Sequence, residues 1–116
     1  MSYRNLLVWQ KAMLLVNKVY KCSEIFPEEE QLGLTNQLRN SAISIPSIIA
    51  KDNAQKKIHG EGHHLGSALG ALFELQTLLE IALGLRYFRK EVFDNLYEDT
   101  REIEKLLKHS ALRYAS

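Results

Sequence analysis

Apolar residues recur at helical spacing in four separate stretches of the chain, with polar residues between them. In the first stretch, Leu6, Trp9, Ala12, Met13, Val16, Val19 and Tyr20 share one face, which predicts a helix from about Asn5 to Cys22. Leu7 and Leu15 fall off that stripe. Phe26-Pro27 ends the pattern, because proline disfavours helix in the residue before it, and Glu28, Glu29 and Glu30 supply negative charge suited to a helix N-terminus. The second stretch aligns Leu34, Leu38, Ala42, Ile45 and Ile49 and predicts a helix from about Glu29 to Ala54. Pro46 lies inside it and removes the N–H that would bond the Ala42 carbonyl, so either a bend or a break at Ser44-Ile45 is expected.

From Asp52 to Lys57 the apolar spacing lapses, which reads as a polar connection. The third stretch is the most regular: Leu65, Ala68, Leu69, Leu72, Leu75, Leu79, Ala82 and Leu83 form its stripe, and Phe73, Leu78 and Ile81 widen it. That width exceeds what one bundle core requires and predicts a second buried contact. Gly84 stands where a helix C-terminal glycine belongs, and Leu85 to Phe88 form the turn. The last stretch, about Lys90 to Arg113, repeats at Phe93, Leu96, Tyr97, Thr100, Ile103, Leu107 and Ala111. Long helices with short connections predict an all-α protein, an antiparallel up-down-up-down four-helix bundle, with residues 1–116 forming one domain.

Composition narrows the function classes. Hydrophobic residues make up 46% and charged residues 25%, the balance of a globular protein and not of a disordered one. No wholly apolar run reaches the roughly 18 residues of a membrane span, and the N-terminus shows no secretory pattern. A single cysteine, Cys22, allows no internal disulfide, so a reducing, cytoplasmic setting is expected. Net charge is +1, which by itself does not mark a nucleic-acid binder.

His59, Glu61, His63 and His64 form the densest cluster of ligand-type side chains, and Glu61 with His64 has the Glu-x-x-His spacing of di-iron bundles. Such a site needs that motif twice, and it occurs once; Gly60 and Gly62 interleave the cluster and weaken helix there. A solvated helix start is the plainer reading, and no metal or cofactor is expected. Cys22 has no histidine near it in sequence, and Ser41, Ser44 and Ser47, spaced by three, suit close helix packing better than nucleophilic attack. The basic residues are more suggestive. Lys51, Lys56, Lys57, His59, His63 and His64 make one end of the bundle locally positive, and Arg86, Arg89 and Lys90 form a second patch expected at the opposite end. Phosphate contact competes here with a merely solvated surface.

Several motifs in order resemble the 23S rRNA intervening sequence protein family, also called four-helix bundle proteins. They are Val8 to Met13, Phe26 to Glu30, Gly33 to Arg39, Ser41 to Ser47 and Ala68 to Thr77, within a similarity running from about Leu6 to Leu107. The resemblance implies an antiparallel four-helix bundle of bacterial origin that assembles into a ring-shaped homopentamer without catalytic activity. Arg39, Ser44 and Pro46 match the family pattern. Where that pattern continues Asn-Ile-Ala-Glu-Gly, this chain has Ile48-Ile49-Ala50-Lys51-Asp52.

The expected function is a non-enzymatic homo-oligomer, a pentamer by the resemblance, that binds RNA or organises a nucleoprotein assembly. The candidate nucleic-acid-binding residues are Lys51, Lys56, Lys57, Arg39, His63 and His64. The competing reading is a scaffold that binds protein and no nucleic acid.

Overall fold

Each of the four stripes becomes a helix in the computed structural model, which describes the backbone of residues 2–59 and 65–115 and the side chains of residues 2–55 and 66–109. The helices are α1 (Leu7–Cys22), α2 (Leu34–His59), α3 (Leu65–Gly84) and α4 (Lys90–Ala115), with single 3-10 turns at Tyr3–Asn5, Ser23–Ile25 and Glu28–Glu30. There is no strand among the described residues. Helices adjacent in sequence pack on one another, and α1 closes the set against α4. The result is a four-helix bundle with α1 and α3 at opposite corners. Lys11 pairs with Glu102 and Lys18 with Asp99, both at 2.7 Å, so α1 and α4 run in opposite directions. Gln76 meets Thr100 while Glu80 meets Tyr97, which sets α3 and α4 antiparallel as well.

Between the helices lies one apolar core. Leu38, Ala42, Ile45 and Ile49 of α2 are buried, as the spacing predicts, as are Leu72, Leu75, Leu79 and Ala82 of α3 and Leu96, Ile103 and Leu107 of α4. Ala111 lies outside the described side chains. Helix α1 is turned relative to the expected face. Leu15 is 1% exposed whereas Met13 and Tyr20 are each 40% exposed, and Trp9 is half-buried. Apolar residues stand on two faces of this helix, and packing selects the one led by Ala12, Leu15 and Val19. Leu78 is likewise inside, not on a flank. Phe26 and Phe88, both in connections, are also buried; they close one end of the core with ring centroids 5.6 Å apart.

Two connections differ from expectation. Helix α2 continues through Pro46 and on through Asp52 to His59, because Ala54, Gln55, Lys56 and Lys57 are strong helix formers even without an apolar stripe. Its first turn begins at Leu34, after the 3-10 turn Glu28–Glu30. Glu30 governs this start: its Oε1 accepts the Leu34 N–H at 3.2 Å and its Oε2 accepts the Tyr87 hydroxyl at 2.7 Å. The α3–α4 turn is thereby tied to the beginning of α2. In that turn the Tyr87 N–H bonds to the Ala82 carbonyl at 3.0 Å and the Arg86 N–H to the Leu83 carbonyl at 2.9 Å, the paired bonds of a Schellman end. The left-handed residue is Arg86, with φ of 62°, and not Gly84, which belongs to the last turn of α3.

Candidate functional site

The start of the chain and the far half of α2 build a groove. Tyr3 and Trp9 meet edge to face at 5.3 Å, and with Met13, Ile43, Pro46 and Ala50 they line a hollow of about 350 Å³ between α1 and α2. Arg4 lies 4.7 Å over the Tyr3 ring, its backbone carbonyl accepting a 2.8 Å bond from the Gln10 side chain. Exposed Lys51 follows Ala50 directly on α2. Arg4 and Lys51 therefore share one end of the bundle. Sequence reasoning missed Arg4, because nothing along the chain links an isolated arginine near the start to a lysine on the second helix. Helix α4 runs toward the same end and adds exposed Lys105 and Lys108, the latter bonded to Glu104 at 2.7 Å. Lys108 holds the Glu104 carboxyl below the usual carboxylate range, assisted by Gln76.

Lys56 and Lys57 lie in the last turns of α2, on this end by position, with side chains outside the described set. His59 is the final residue of that helix, while Glu61, His63 and His64 lie outside the described residues. Among the described residues no group of three His, Cys, Asp or Glu could hold a metal ion.

Arg39 is placed elsewhere. It stands 12 positions before Lys51 on α2, about 18 Å at 1.5 Å per residue. Its Nε donates to Ser23 Oγ at 2.8 Å, its terminal nitrogen to the Tyr20 carbonyl at 3.2 Å, and its guanidinium stacks 4.6 Å over the Tyr20 ring. A cation there satisfies a carbonyl left open at the C-terminus of α1 and joins α1 to α2. Arg86, Arg89 and Lys90 border a second hollow, of about 520 Å³, beside Ile25 and Phe88. Lys90 pairs with Asp94 at 3.1 Å, and the acidic run Glu28 to Glu30 lies beside this end through the Glu30–Tyr87 bond. The two basic patches are thus at opposite ends, and the Lys51 end lacks such an acidic run among its described residues.

Burial and hydrogen bonding bear on the thiol and on two of the three spaced serines. Burial pushes the Cys22 thiol up, against a smaller opposing effect of Lys18 and Lys21, which disfavours the thiolate. Ser41 and Ser44 donate to the carbonyls of Leu38 at 3.0 Å and Asn40 at 2.9 Å.

The outer face of α3 is the second unusual surface. Phe73 is 43% and Ile81 45% exposed, and between and beside them stand Gly66, Gly70, Thr77 and Gly84. A methyl group placed on any of these three glycines meets nothing within 4 Å, so packing inside the bundle does not require glycine there. Its borders are acidic, at Glu74 and Glu80. By length and composition Gly66–Gly84 is apolar enough to cross a membrane, although 39% of that stretch is buried in the bundle, where core packing accounts for much of its apolarity.

No curated protein matches the chain. The profile of the 23S rRNA-intervening sequence protein does match, over residues 4–109 of 116, a stretch that takes in the groove apart from Tyr3, the α3 face and both basic ends. The chain therefore belongs to the 23S rRNA-intervening sequence protein family.

Proposed function

We propose that this protein is a non-enzymatic, cytoplasmic homo-oligomer, a ring of five as the family resemblance implies, whose repeated basic end grips RNA phosphates. The observation that carries the reading is the α3 outer face: an uncharged strip with Phe73 and Ile81 standing out of it is better accounted for by a covering neighbour than by water. One subunit, at +1, attracts RNA weakly. Repetition around a rim changes that, because Arg4, Lys51, Lys56 and Lys57 from every subunit act on one polyanion and raise the effective concentration of each contact. Binding that rests on phosphates is largely sequence-independent and weakens steeply as salt rises.

The test is RNA binding by the purified protein across a salt series, for wild type and for Lys51→Ala/Lys56→Ala/Lys57→Ala. The variant is expected to bind less tightly with a shallower salt slope while keeping its oligomer mass. Equal affinity and equal slope would remove this rim from the RNA site. Absence of binding by either protein would favour a scaffold that binds protein alone, a reading for which the near-neutral net charge speaks.

A further inference from the structure

The α1–α2 groove and the α3 ridge are two unpartnered apolar surfaces of opposite relief on one molecule. The groove is concave, floored by Val16 and Pro46, with Met13 and Ile43 each 40% exposed on its walls. The ridge is convex, with Phe73 and Ile81 projecting beside positions bare enough for a second helix to approach closely. Their charges are complementary too. Arg4 stands at one end of the groove through its contact with Tyr3, and Arg39 at the other through Tyr20, one helical turn beyond Val16. Neither guanidinium forms an ion pair among the described residues, and neither does Glu74 or Glu80 on the borders of the ridge. The lengths agree as well: Arg39 to Ala50 spans about 17 Å of α2, and Gly70 to Ile81 about 17 Å of α3, at 1.5 Å per residue.

We infer that the ridge of α3 in one copy seats in the α1–α2 groove of the next, with Glu74 and Glu80, about 9 Å apart along α3, lying within the span that the two arginines bound. This rests on the self-assembly reading and names the surfaces that carry it. The ridge belongs to the corner opposite α1, so a subunit cannot present ridge and groove to the same patch of its neighbour. The contact is heterologous: each copy gives a ridge to one neighbour and a groove to another, and the chain of contacts closes into a ring where the rotation per step divides a full turn. It also gives Trp9 a role that the monomer does not. Half-buried in the wall of the groove, its ring is positioned to meet Phe73 or Ile81 of the neighbour.

Two variants and their mixture test it. Phe73→Glu/Ile81→Glu spoils the ridge and leaves the groove, and Met13→Glu/Ile43→Glu spoils the groove and leaves the ridge. All four positions are exposed and helical, so wild-type circular dichroism is expected of both variants, with Ile81→Glu and Met13→Glu alone as milder substitutes if either loses helicity. By light scattering at micromolar concentration, wild type is expected as a multimer and each variant as a 13.3 kDa monomer. An equimolar mixture is expected to give a species of twice the monomer mass and nothing larger, because one intact ridge meets one intact groove and the chain of contacts stops there. Monomeric wild type would overturn the assembly reading and this inference together. Multimeric variants beside a multimeric wild type would overturn the inference alone. A mixture that stays monomeric would overturn ridge-in-groove pairing, and variants that each dimerise on their own would overturn it in favour of like surfaces meeting like.

Discussion

Replacing Gly70 with alanine separates the intrinsic stability of the bundle from its assembly. Gly70 lies inside α3, more than a turn from either end, and its missing methyl would meet nothing within 4 Å. No steric term opposes the substitution in a single subunit, so the gain is the helix propensity difference, about 0.8 to 1 kcal/mol. For a chain of this size that raises the melting midpoint by roughly 4 °C. The measurement is a thermal melt followed by circular dichroism in the Met13→Glu/Ile43→Glu background, where the groove is spoiled and the ridge is free. With the proposed ridge-in-groove contact, the same methyl in the otherwise wild-type chain would enter the seam between two copies, and the concentration at which the multimer dissociates is expected to rise. An unchanged or lower midpoint in the monomeric background would refute the claim that this face is open. A tighter multimer would refute close approach at Gly70.

Three further substitutions and a titration bear on the fold. The Thr35 hydroxyl is buried without a hydrogen-bond partner among the described residues, so Thr35→Val is expected to raise the urea-unfolding free energy by about 1 kcal/mol; a loss would mean that the hydroxyl is satisfied. Arg86→Gly relieves a left-handed arginine, and after the greater backbone freedom of glycine in the unfolded chain a net gain of about 0.5 to 1 kcal/mol is expected from the melting midpoint. Tyr87 holds the Glu30 carboxyl below its ordinary range, and Lys108 does so for Glu104. The stability these carboxylates contribute is therefore present above the ordinary carboxylate range and lost as pH falls through their lowered values; Tyr87→Phe is expected to flatten that acid limb in a pH series of melts. The hydrogen bond from Tyr87 to Glu30 raises the phenol, and burial followed by Glu80 raises that of Tyr97, so stability is lost on the alkaline side as pH climbs through their raised values.

How far the sequence carried depended on how many faces of a helix are apolar. In helix α2 the stripe of Leu38, Ala42, Ile45 and Ile49 is the regular apolar face, and its burial followed from spacing, although Ile43 stands exposed outside it. Helix α1 bears Leu7, Met13 and Leu14 as well as Leu15, so periodicity allowed two orientations and packing against α4 chose the one with Leu15 inside. In α3 the excess was legible as an excess, but spacing could not say that Leu78 joins the core while Phe73 and Ile81 stay out. The lapse of apolar spacing after Ala50 looked like a loop because periodicity reports burial, whereas helix formation there follows propensity. Of the candidate residues, Lys51 could be located from sequence, but its sharing one end of the bundle with Arg4 could not. That placement, like the anchoring of Arg39 on Tyr20 and Ser23, exists only once α1 lies against α2.

The seam between α1 and α4 has a consequence for how the chain is made. Every other helix pair joins neighbours in sequence, whereas Lys18 and Asp99 close a loop of 81 residues, an ordering cost of about 4 kcal/mol by loop-closure scaling. The two exposed ion pairs along this seam are worth roughly 0.2 to 1 kcal/mol each and cannot meet that cost. The apolar contacts beneath them, Leu15 and Val19 with Leu96 and Ile103 among them, must supply it. Once α3 has been made, the side of α1 that α4 covers stays open until the 26 residues of α4 have followed, about one to five seconds at ordinary elongation rates. For that interval a nascent subunit exposes the core side of α1 and the outer ridge of α3 together, so it can mispair with a neighbour through a surface that the finished bundle hides.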